Sequence, residues 1–200
     1  MLLMPNQNNK LSADLTTQDV WLDKVTRCET THYDDREGEA GNNIDLLVIH
    51  NISLPPAETE DDFTNNNVEQ FFTGQLDSKQ HPYFASIAQL RVSAHLYIKR
   101  TGQVIQFVPL NKRAWHAGVS EFNGKQRCND FSIGIELQGT DVLPYTDLQY
   151  EALHSVSQQI QLLYPGIVID NIVGHCDIAP GRKTDPGSSF DWARYKQPLI

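Results

Sequence analysis

Two histidines follow apolar segments of the chain, in positions from which their side chains can do chemistry. His50 comes directly after the nearly continuous apolar run at residues 44–49. His175 comes soon after a shorter segment at residues 171–173. Runs of this kind are typical of buried β-strands. Because residues at strand ends are held more firmly than residues on loops, both imidazoles are candidate metal ligands.

Asp185 is the third candidate ligand. The segment between His175 and residue 187 contains two prolines and two glycines, so we predict a structured loop that brings Asp185 back beside His175. Two imidazoles and one carboxylate form a suitable ligand set for catalytic zinc, with the fourth position left for water. An alternative stays open at this point, because a His-x9-Asp spacing is not specific. His50 and His175 can be separately satisfied core histidines, and Asp185 can simply initiate the Asp-Pro turn.

Glu136 and Lys183 are the candidates for proton transfer and charge stabilisation. Residues 132–138 alternate between apolar and other side chains, which predicts a half-buried strand. Glu136 shares a face of this strand with the small Gly134, which leaves room for a ligand, and it can take a proton from an attacking water. Lys183 can stabilise an oxyanion beside the metal. The simpler alternatives are a solvated strand carboxylate and a surface lysine.

Three further residues are candidates for other roles. Cys176 can act as a nucleophile with a histidine base, but it points away from the face of His175 if the strand continues through it. His95 lies beside a predicted hairpin, and we interpret it as a core histidine or one that supports the site. His116 lies in a loop with aromatic character, where it can line the pocket without holding the metal.

Strands and helices alternate along the rest of the chain. Residues 95–99 and 104–108 flank a turn and predict a β-hairpin, and residues 68–72 and 191–197 predict short helices. Residues 147–164 predict the longest helix, with Thr146 and Gln149 forming a capping box. Its predicted apolar face consists of Leu148, Ala152, Val156, Ile160 and Leu163. This mixture predicts an α/β fold of mixed α+β type, in which helices flank a mixed central sheet.

The chain is predicted to contain one catalytic domain. We assign residues 1–40 to an N-terminal arm that is partly loose, with a tail at residues 6–17 and a packed part at residues 21–33. We assign residues 41–200 to the domain itself, and interpret residues 57–67 as an exposed acidic loop. Two hundred residues are enough for one sizeable core.

The charge and the cysteines limit the classes of partner. A formal net charge of −9 argues against nucleic acid and against anionic membranes as partners. The three cysteines are widely spaced, which suits a reducing compartment. The first ten residues lack the pattern of a secretory signal, and we find no apolar stretch of membrane-spanning length. We therefore expect a cytoplasmic location.

Six ordered segments carry a resemblance to a known family. They are VIHNISLPP (48–56), SAH (93–95), KRAWHAGVS (112–120), CNDFSIGIEL (128–137), HCDIAP (175–180) and RKTDPG (182–187). Together they resemble the motifs of the type-2 N-acetylmuramoyl-L-alanine amidases, over residues 45 to 192. The sequence departs from the family pattern in a longer N-terminal arm and in an expanded, more acidic loop at residues 57–67. Neither departure touches a candidate catalytic residue.

The resemblance implies roles for particular residues. It implies a mixed sheet with helices, as in phage amidase lysozymes and peptidoglycan recognition proteins. It implies one zinc ion per chain on His50, His175 and Asp185, with Glu136 as the catalytic carboxylate and Lys183 as the cation that stabilises the oxyanion. It also places four residues along the substrate groove: Asn51, Arg91, Trp115 and Arg127.

The implied reaction is hydrolysis of the amide between the lactyl group of a 1,6-anhydro-N-acetylmuramoyl sugar and the L-Ala of its stem peptide. The implied partner is therefore a small molecule, an anhydromuropeptide of peptidoglycan recycling, and we expect a monomer. Two alternatives stay open. One is a muropeptide sensor without catalysis, and the other is a zinc peptidase that cuts within the stem peptide.

Overall fold

The computed structural model describes residues 18–38, 43–197 and 199. The tail predicted at residues 6–17 lies outside these ranges, and the domain boundary predicted near residue 41 stays a prediction. No helix in the described ranges is long and apolar enough to cross a membrane.

Ten strands and five α-helices make up the described part of the chain. The strands are β1 (Thr26–Arg27), β2 (Tyr33–Asp35), β3 (Leu46–Ile52), β4 (Leu96–Ile98), β5 (Val104–Gln106), β6 (Lys112–Ala114), β7 (Glu121–Phe122), β8 (Lys125–Gln126), β9 (Ser132–Gln138) and β10 (Ile172–Gly174). The helices are α1 (Asn67–Phe72), α2 (Phe84–Ile87), α3 (Asp147–Leu163), α4 (His175–Ile178) and α5 (Trp192–Lys196). Three 3-10 turns accompany them at Glu60–Phe63, Cys128–Asp130 and Ile169–Asn171.

Six of the strands form the central sheet, in the order β1-β5-β4-β9-β3-β10. The four neighbours β4, β9, β3 and β10 are parallel, whereas β5 is antiparallel to β4 in the predicted hairpin. The sheet is therefore mixed, and helices flank it, which confirms the predicted fold class. The parallel strands place their carboxyl ends at one edge, where His50 and His175 lie.

The two faces of the central sheet carry different kinds of side chain. Ile49 of β3 and Ile135 of β9 point into a core that α3 and α5 cover, with Leu153, Ile160 and Tyr195 among its members. Because side chains alternate along a strand, His50 and Glu136 point to the opposite face. The first face thus packs on the main hydrophobic core, whereas the second carries polar side chains at the carboxyl ends of β3 and β9 beside a smaller apolar cluster that includes Leu46 and Val48.

The buried face of α3 differs from the predicted one. Val156 and Ile160 are buried as expected, but Leu148 is 51% exposed. Gln149 is buried instead, because its amide nitrogen donates to the carbonyls of Ile98 and Gln138 at 3.3 and 2.9 Å. The capping box predicted for Thr146 is present, with Thr146 Oγ1 accepting from the backbone of Gln149 at 3.1 Å. Hydrogen bonding to the sheet therefore sets the rotation of this helix.

The acidic loop predicted at residues 57–67 contains more structure than expected. Most of it is exposed, but Phe63 is buried at the end of a 3-10 turn. The guanidinium of Arg100 lies over the Phe63 ring, 4.9 Å from its centroid, and pairs with Glu60. The loop is therefore attached to the hairpin turn after β4.

The described part of the N-terminal arm packs against the domain. β1 extends the central sheet beside β5, and Leu22 is buried in the core under α3. At the end of this segment, Arg36 donates to the carbonyls of Asn129 and Ser132 at 3.0 and 2.7 Å. Arg36 thereby ties the arm to the start of β9, the central strand of the site.

His95 lies on the polar face, fully enclosed beside β9. Its Nδ1 accepts from the backbone N–H of Gly134 at 3.0 Å, so its Nε2 carries the ring proton and donates to the carbonyl of Lys112 at 3.0 Å. A second ring proton would collide with the N–H of Gly134. Burial, together with the positive charge of Arg36, lowers the pKa of His95 to about 3. The ring is therefore neutral in the folded protein.

The neutral state of His95 predicts acid sensitivity of the metal-free protein. Unfolded histidine binds a proton near pH 6.5, whereas folded His95 stays neutral down to about pH 3. The unfolded state thus binds more protons below pH 6.5, and stability falls as the pH falls. From pH 8 to pH 5, His95 alone should cost about 2 kcal/mol of the free energy of unfolding. Urea titrations of chelator-treated wild type and His95→Gln, each normalised to pH 8, measure this loss; equal losses in both proteins would contradict it.

Candidate active site

Three ligand atoms meet at the carboxyl edge of the sheet. His50 Nδ1 lies 3.0 Å from His175 Nδ1 and 3.0 Å from Asp185 Oδ2, and His175 Nδ1 lies 3.1 Å from the same oxygen. The side chains of His50 and His175 are 1% and 3% exposed, and that of Asp185 is 13% exposed. The structure therefore brings together the three residues predicted as metal ligands.

The hydrogen bonds around this cluster decide which atoms face it. His175 Nε2 lies 3.0 Å from the carbonyl oxygen of Ala117, which can only accept, so the neutral ring carries its proton on Nε2. Its Nδ1 then presents a lone pair to the cluster. Burial raises the pKa of Asp185, but the close contacts of its carboxylate with the rings of His175 and His50 outweigh burial and hold that pKa well below its usual value. The cluster is thus an anionic group with the lone pair of His175 Nδ1 directed at it.

The spacing of these atoms fits a small metal ion. Tetrahedral zinc with bonds of about 2.0–2.1 Å separates its ligand atoms by about 3.3 Å, close to the three observed distances. With a lone pair on each Nδ1, the two imidazoles and the carboxylate oxygen would repel one another at this range unless a cation lay between them. The donor set of two nitrogens and one oxygen is one that zinc accepts in catalytic sites.

The chain returns Asp185 to His175 as predicted, although its path differs. β10 ends at Gly174, and His175 begins one turn of helix, α4, rather than a loop. The backbone N–H of Cys176 donates to the carbonyl of Asp185 at 3.0 Å, which closes the return. A Cβ at Gly174 would lie 2.8 Å from Pro186 Cδ, so only glycine lets the two segments approach this closely.

Cys176 lies on the helical turn α4, after the end of β10. The strand ends at Gly174 and does not continue through Cys176, so the condition for expecting alternation to turn its side chain away is not met. Burial raises the pKa of the Cys176 thiol, which keeps it protonated. Since the thiolate is the nucleophilic form, Cys176 is a poor candidate for attack on a substrate.

Glu136 lies beside the cluster on the neighbouring strand. In the parallel pairing of β3 and β9, Glu136 is directly opposite His50. Its Oε2 is enclosed and has no hydrogen-bond partner among the described residues. Burial, reinforced by the negative charge of Asp185, raises the pKa of Glu136 well above its usual value, and Lys183 partly opposes this shift. A carboxylate in this setting readily accepts a proton.

An open groove of about 650 Å³ runs over these residues. Lys183 is exposed at its edge, and Asn51 and Trp115 also line it. Apolar and aromatic side chains also line it, among them Phe71, Tyr83, Ile87, Leu90 and Val92. Two of the four residues predicted along the substrate groove therefore line this cavity.

The two predicted arginines lie outside the lining of the groove. The Arg91 guanidinium lies 5.6 Å from the centroid of the Trp115 ring. Arg127 lines a neighbouring depression together with Arg182, and its Nε pairs with Asp130 at 3.0 Å. Arg182 also lines the main groove, so it is the residue that the two depressions share.

The sequence did not indicate two contacts that shape the groove. Asn51 Nδ2 donates to Asp141 Oδ1 at 2.8 Å, which fixes the orientation of the Asn51 amide. Asp141 in turn packs on Gly187, where a Cβ would lie 2.1 Å from the Asp141 Cα. A glycine after Asp-Pro suggested only a turn, and no pattern linked it to a loop 46 residues earlier.

The space over Gly134 is filled by a side chain of the protein, which differs from the prediction. We expected it to admit a ligand, but the ring of His116 occupies it: a Cβ at Gly134 would lie 2.5 Å from His116 Cγ. His116 lines the groove, as predicted. It also lies against His50, with ring centroids 5.0 Å apart.

Comparison with known proteins agrees with this site. Residues 40–188 match the N-acetylmuramoyl-L-alanine amidase family. The 1,6-anhydro-N-acetylmuramyl-L-alanine amidase AmpD of Citrobacter freundii is 55% identical over 176 residues, which cover 88% of this chain and 90% of the relative. A crystal structure of a selenomethionine AmpD derivative has a TM-score of 0.85 at 53% identity, covering 92% of this chain and 98% of the other.

A more distant structure contains a ligand. It is the amidase AmiD from E. coli in complex with anhydro-N-acetylmuramic acid-L-Ala-D-gamma-Glu-L-Lys, with a TM-score of 0.57 at 30% identity, covering 77% of this chain and 56% of that one. The family match spans most of the chain, and the identity to AmpD is well above the level at which a family is shared. The chain is therefore an enzyme of the N-acetylmuramoyl-L-alanine amidase family.

Proposed function

We propose that this enzyme hydrolyses the amide between the lactyl group of 1,6-anhydro-N-acetylmuramic acid and the L-Ala of the stem peptide, in peptidoglycan recycling. The observation that carries the proposal is the meeting of His50, His175 and Asp185 within 3.0–3.1 Å of one another, with Glu136 opposite His50. The relatives named AmpD support the anhydro sugar as part of the substrate.

His50, His175 and Asp185 would hold one zinc ion through Nδ1, Nδ1 and a carboxylate oxygen. When bound, zinc would acidify a water molecule and polarise the scissile carbonyl. The protein contributes the fixed geometry. The Ala117 carbonyl orients His175, and the tight approach of Gly174 to Pro186 keeps Asp185 in reach.

Glu136 takes the proton of the attacking water. Its raised pKa lets it keep that proton as the water oxygen bonds to the carbonyl carbon, and then pass it to the departing nitrogen of L-Ala as the C–N bond breaks. Lys183 lies at the edge of the groove and provides positive charge for the oxyanion that forms on the former carbonyl oxygen. A donor in such a position is often worth about 3 kcal/mol of transition-state stabilisation.

The groove supplies the remaining contacts. The Asn51 amide nitrogen donates to Asp141, which orients the side-chain carbonyl oxygen as a candidate acceptor for an N–H of the substrate. Trp115 offers a flat apolar surface for a sugar ring or a peptide. Arg91 and Arg127 lie beyond the groove lining, where they can pair with carboxylates of the stem peptide.

The cytoplasm is the compartment that we propose. Cys28, Cys128 and Cys176 are all free thiols, and unpaired cysteines suit a reducing environment. The monomeric state stays a prediction.

Product analysis tests the proposed bond and the need for metal together. Mass spectrometry of an anhydromuropeptide after incubation in oxygen-18 water should show free 1,6-anhydro-N-acetylmuramic acid labelled in its lactyl carboxylate, and an intact, unlabelled stem peptide. A chelator should stop the reaction, and zinc should restore it. Label within the stem peptide would indicate a peptidase. Unchanged but bound substrate would indicate a sensor, and full turnover in the chelated enzyme would remove the metal from the proposal.

Two carboxylate substitutions should have different consequences. Asp185→Ala should lose zinc and turnover together, because it removes one of only three protein ligands. Glu136→Gln should keep its zinc and still bind substrate, while kcat falls by at least ~10²-fold, because the proton acceptor is gone. Metal analysis, calorimetry and initial rates measure these effects.

The matched control is Glu151→Gln, an exposed carboxylate on α3, which should leave kcat unchanged. If Glu136→Gln turned over substrate at the wild-type rate, Glu136 would have no role in proton transfer. If it lost zinc while Asp185→Ala retained it, the two roles would have to be exchanged.

A further inference from the structure

We propose that His116 is a positioning residue for the metal site: it accepts the Nε2 proton of His50 and so keeps the Nδ1 lone pair of His50 directed at the metal. This inference rests on the proposed zinc function, and it assigns a role to a histidine that is not itself a metal ligand. It also explains why the space over Gly134 is filled by an imidazole.

The geometry places His116 on the far side of the His50 ring from the ligand cluster. His50 Nδ1 faces His175 and Asp185, whereas His50 Nε2 lies 2.9 Å from His116 Nδ1. His116 Nε2 lies 3.1 Å from the hydroxyl of Ser132, which is fully buried. A continuous chain of hydrogen bonds thus runs from Ser132 through His116 to His50.

The two histidine ligands differ in how their ring protons are fixed. A backbone carbonyl can only accept, so Ala117 forces His175 to carry its proton on Nε2. His50 has an imidazole in the corresponding place, and an imidazole nitrogen can either donate or accept. The Ser132 hydroxyl at the other end can also do both. The hydrogen bonds from Ser132 through His116 to His50 can therefore run in either of two directions.

Only one direction permits metal binding. When His50 Nε2 donates to His116 and His116 Nε2 donates to Ser132, the lone pair of His50 Nδ1 is free. When the direction is reversed, Ser132 donates to His116, His116 donates to His50, and the proton of His50 sits on Nδ1 among the ligands. Without metal, that proton can bridge to His175 or Asp185, at 3.0 Å from each. We therefore expect the reversed direction without metal, and we expect zinc binding to change the tautomer of both His50 and His116.

The ring of His116 is clamped in the position that this role requires. It lies on Gly134, where no Cβ could fit. The backbone N–H groups of His116 and Ala117 both donate to Asn129 Oδ1, at 3.1 and 2.8 Å. Arg36 holds the main chain of Asn129 on the opposite side. A clamped partner fixes both the tautomer and the orientation of a metal-binding histidine.

Zinc affinity tests the proposal on three variants. His116→Leu removes the acceptor and should weaken zinc binding about 10–100-fold, the usual effect of losing such a partner. His116→Asn places an amide oxygen near the lost Nδ1 and should restore most of the affinity. His154→Leu is the control, because it too removes an imidazole hydrogen bond, the one between His154 on α3 and the carbonyl of Tyr195, in a different part of the fold. Zinc dissociation constants come from competition with a chelator, and thermal melts of the metal-free proteins show whether each variant folds.

Nitrogen-15 NMR of the wild-type imidazoles gives a readout that does not depend on any variant. Zinc should move the proton of His50 from Nδ1 to Nε2, and the proton of His116 from Nδ1 to Nε2, although His116 does not bind the metal. Unchanged His116 shifts, or wild-type zinc affinity in a folded His116→Leu protein, would overturn the inference. A wild-type protein that binds no zinc would instead overturn the proposed function, so the two failures are distinguishable.

Discussion

The parallel pairing of β3 with β9 is the constraint on which the site depends. It places His50 directly opposite Glu136, so a candidate ligand and the candidate base share one face of the sheet. A slip of one residue would turn one of them into the hydrophobic core. The register is fixed because the alternate residues, such as Ile49 and Ile135, are fully buried under α3. The hydrophobic core thus determines where the chemistry can occur.

The other face of the sheet holds an unusual number of enclosed polar groups, and hydrogen bonds compensate for their burial. His95, His116 and His175 each have a partner for both ring nitrogens. Three of these six partners are backbone groups: the carbonyls of Lys112 and Ala117 and the N–H of Gly134. These hydrogen bonds keep the ligand atoms in place, and burial lowers the pKa of His95 and of His116, so that protonating either ring would destabilise the fold.

Much of the fold and of the ligand set could be predicted from the sequence. Periodicity identified β9 and α3, a nearly continuous apolar run identified β3, and the strand ends identified His50 and His175. The prediction for Leu148 was wrong because Gln149 binds the sheet through its amide, a tertiary contact that hydrophobicity does not reveal. The roles of Arg36, Asp141 and Gly134 depend on contacts between distant segments, and local patterns carry no signal for such contacts.

The central claim is that His50, His175 and Asp185 form one zinc site beside Glu136. Anomalous X-ray scattering at the zinc absorption edge, from crystals grown with equimolar zinc, tests it most directly. A single peak about 2.0–2.1 Å from His50 Nδ1, His175 Nδ1 and an Asp185 oxygen is expected, with no bond to Glu136 or His116. A peak bound by His116 or Cys176, or the absence of any peak at the three ligands, would contradict the claim.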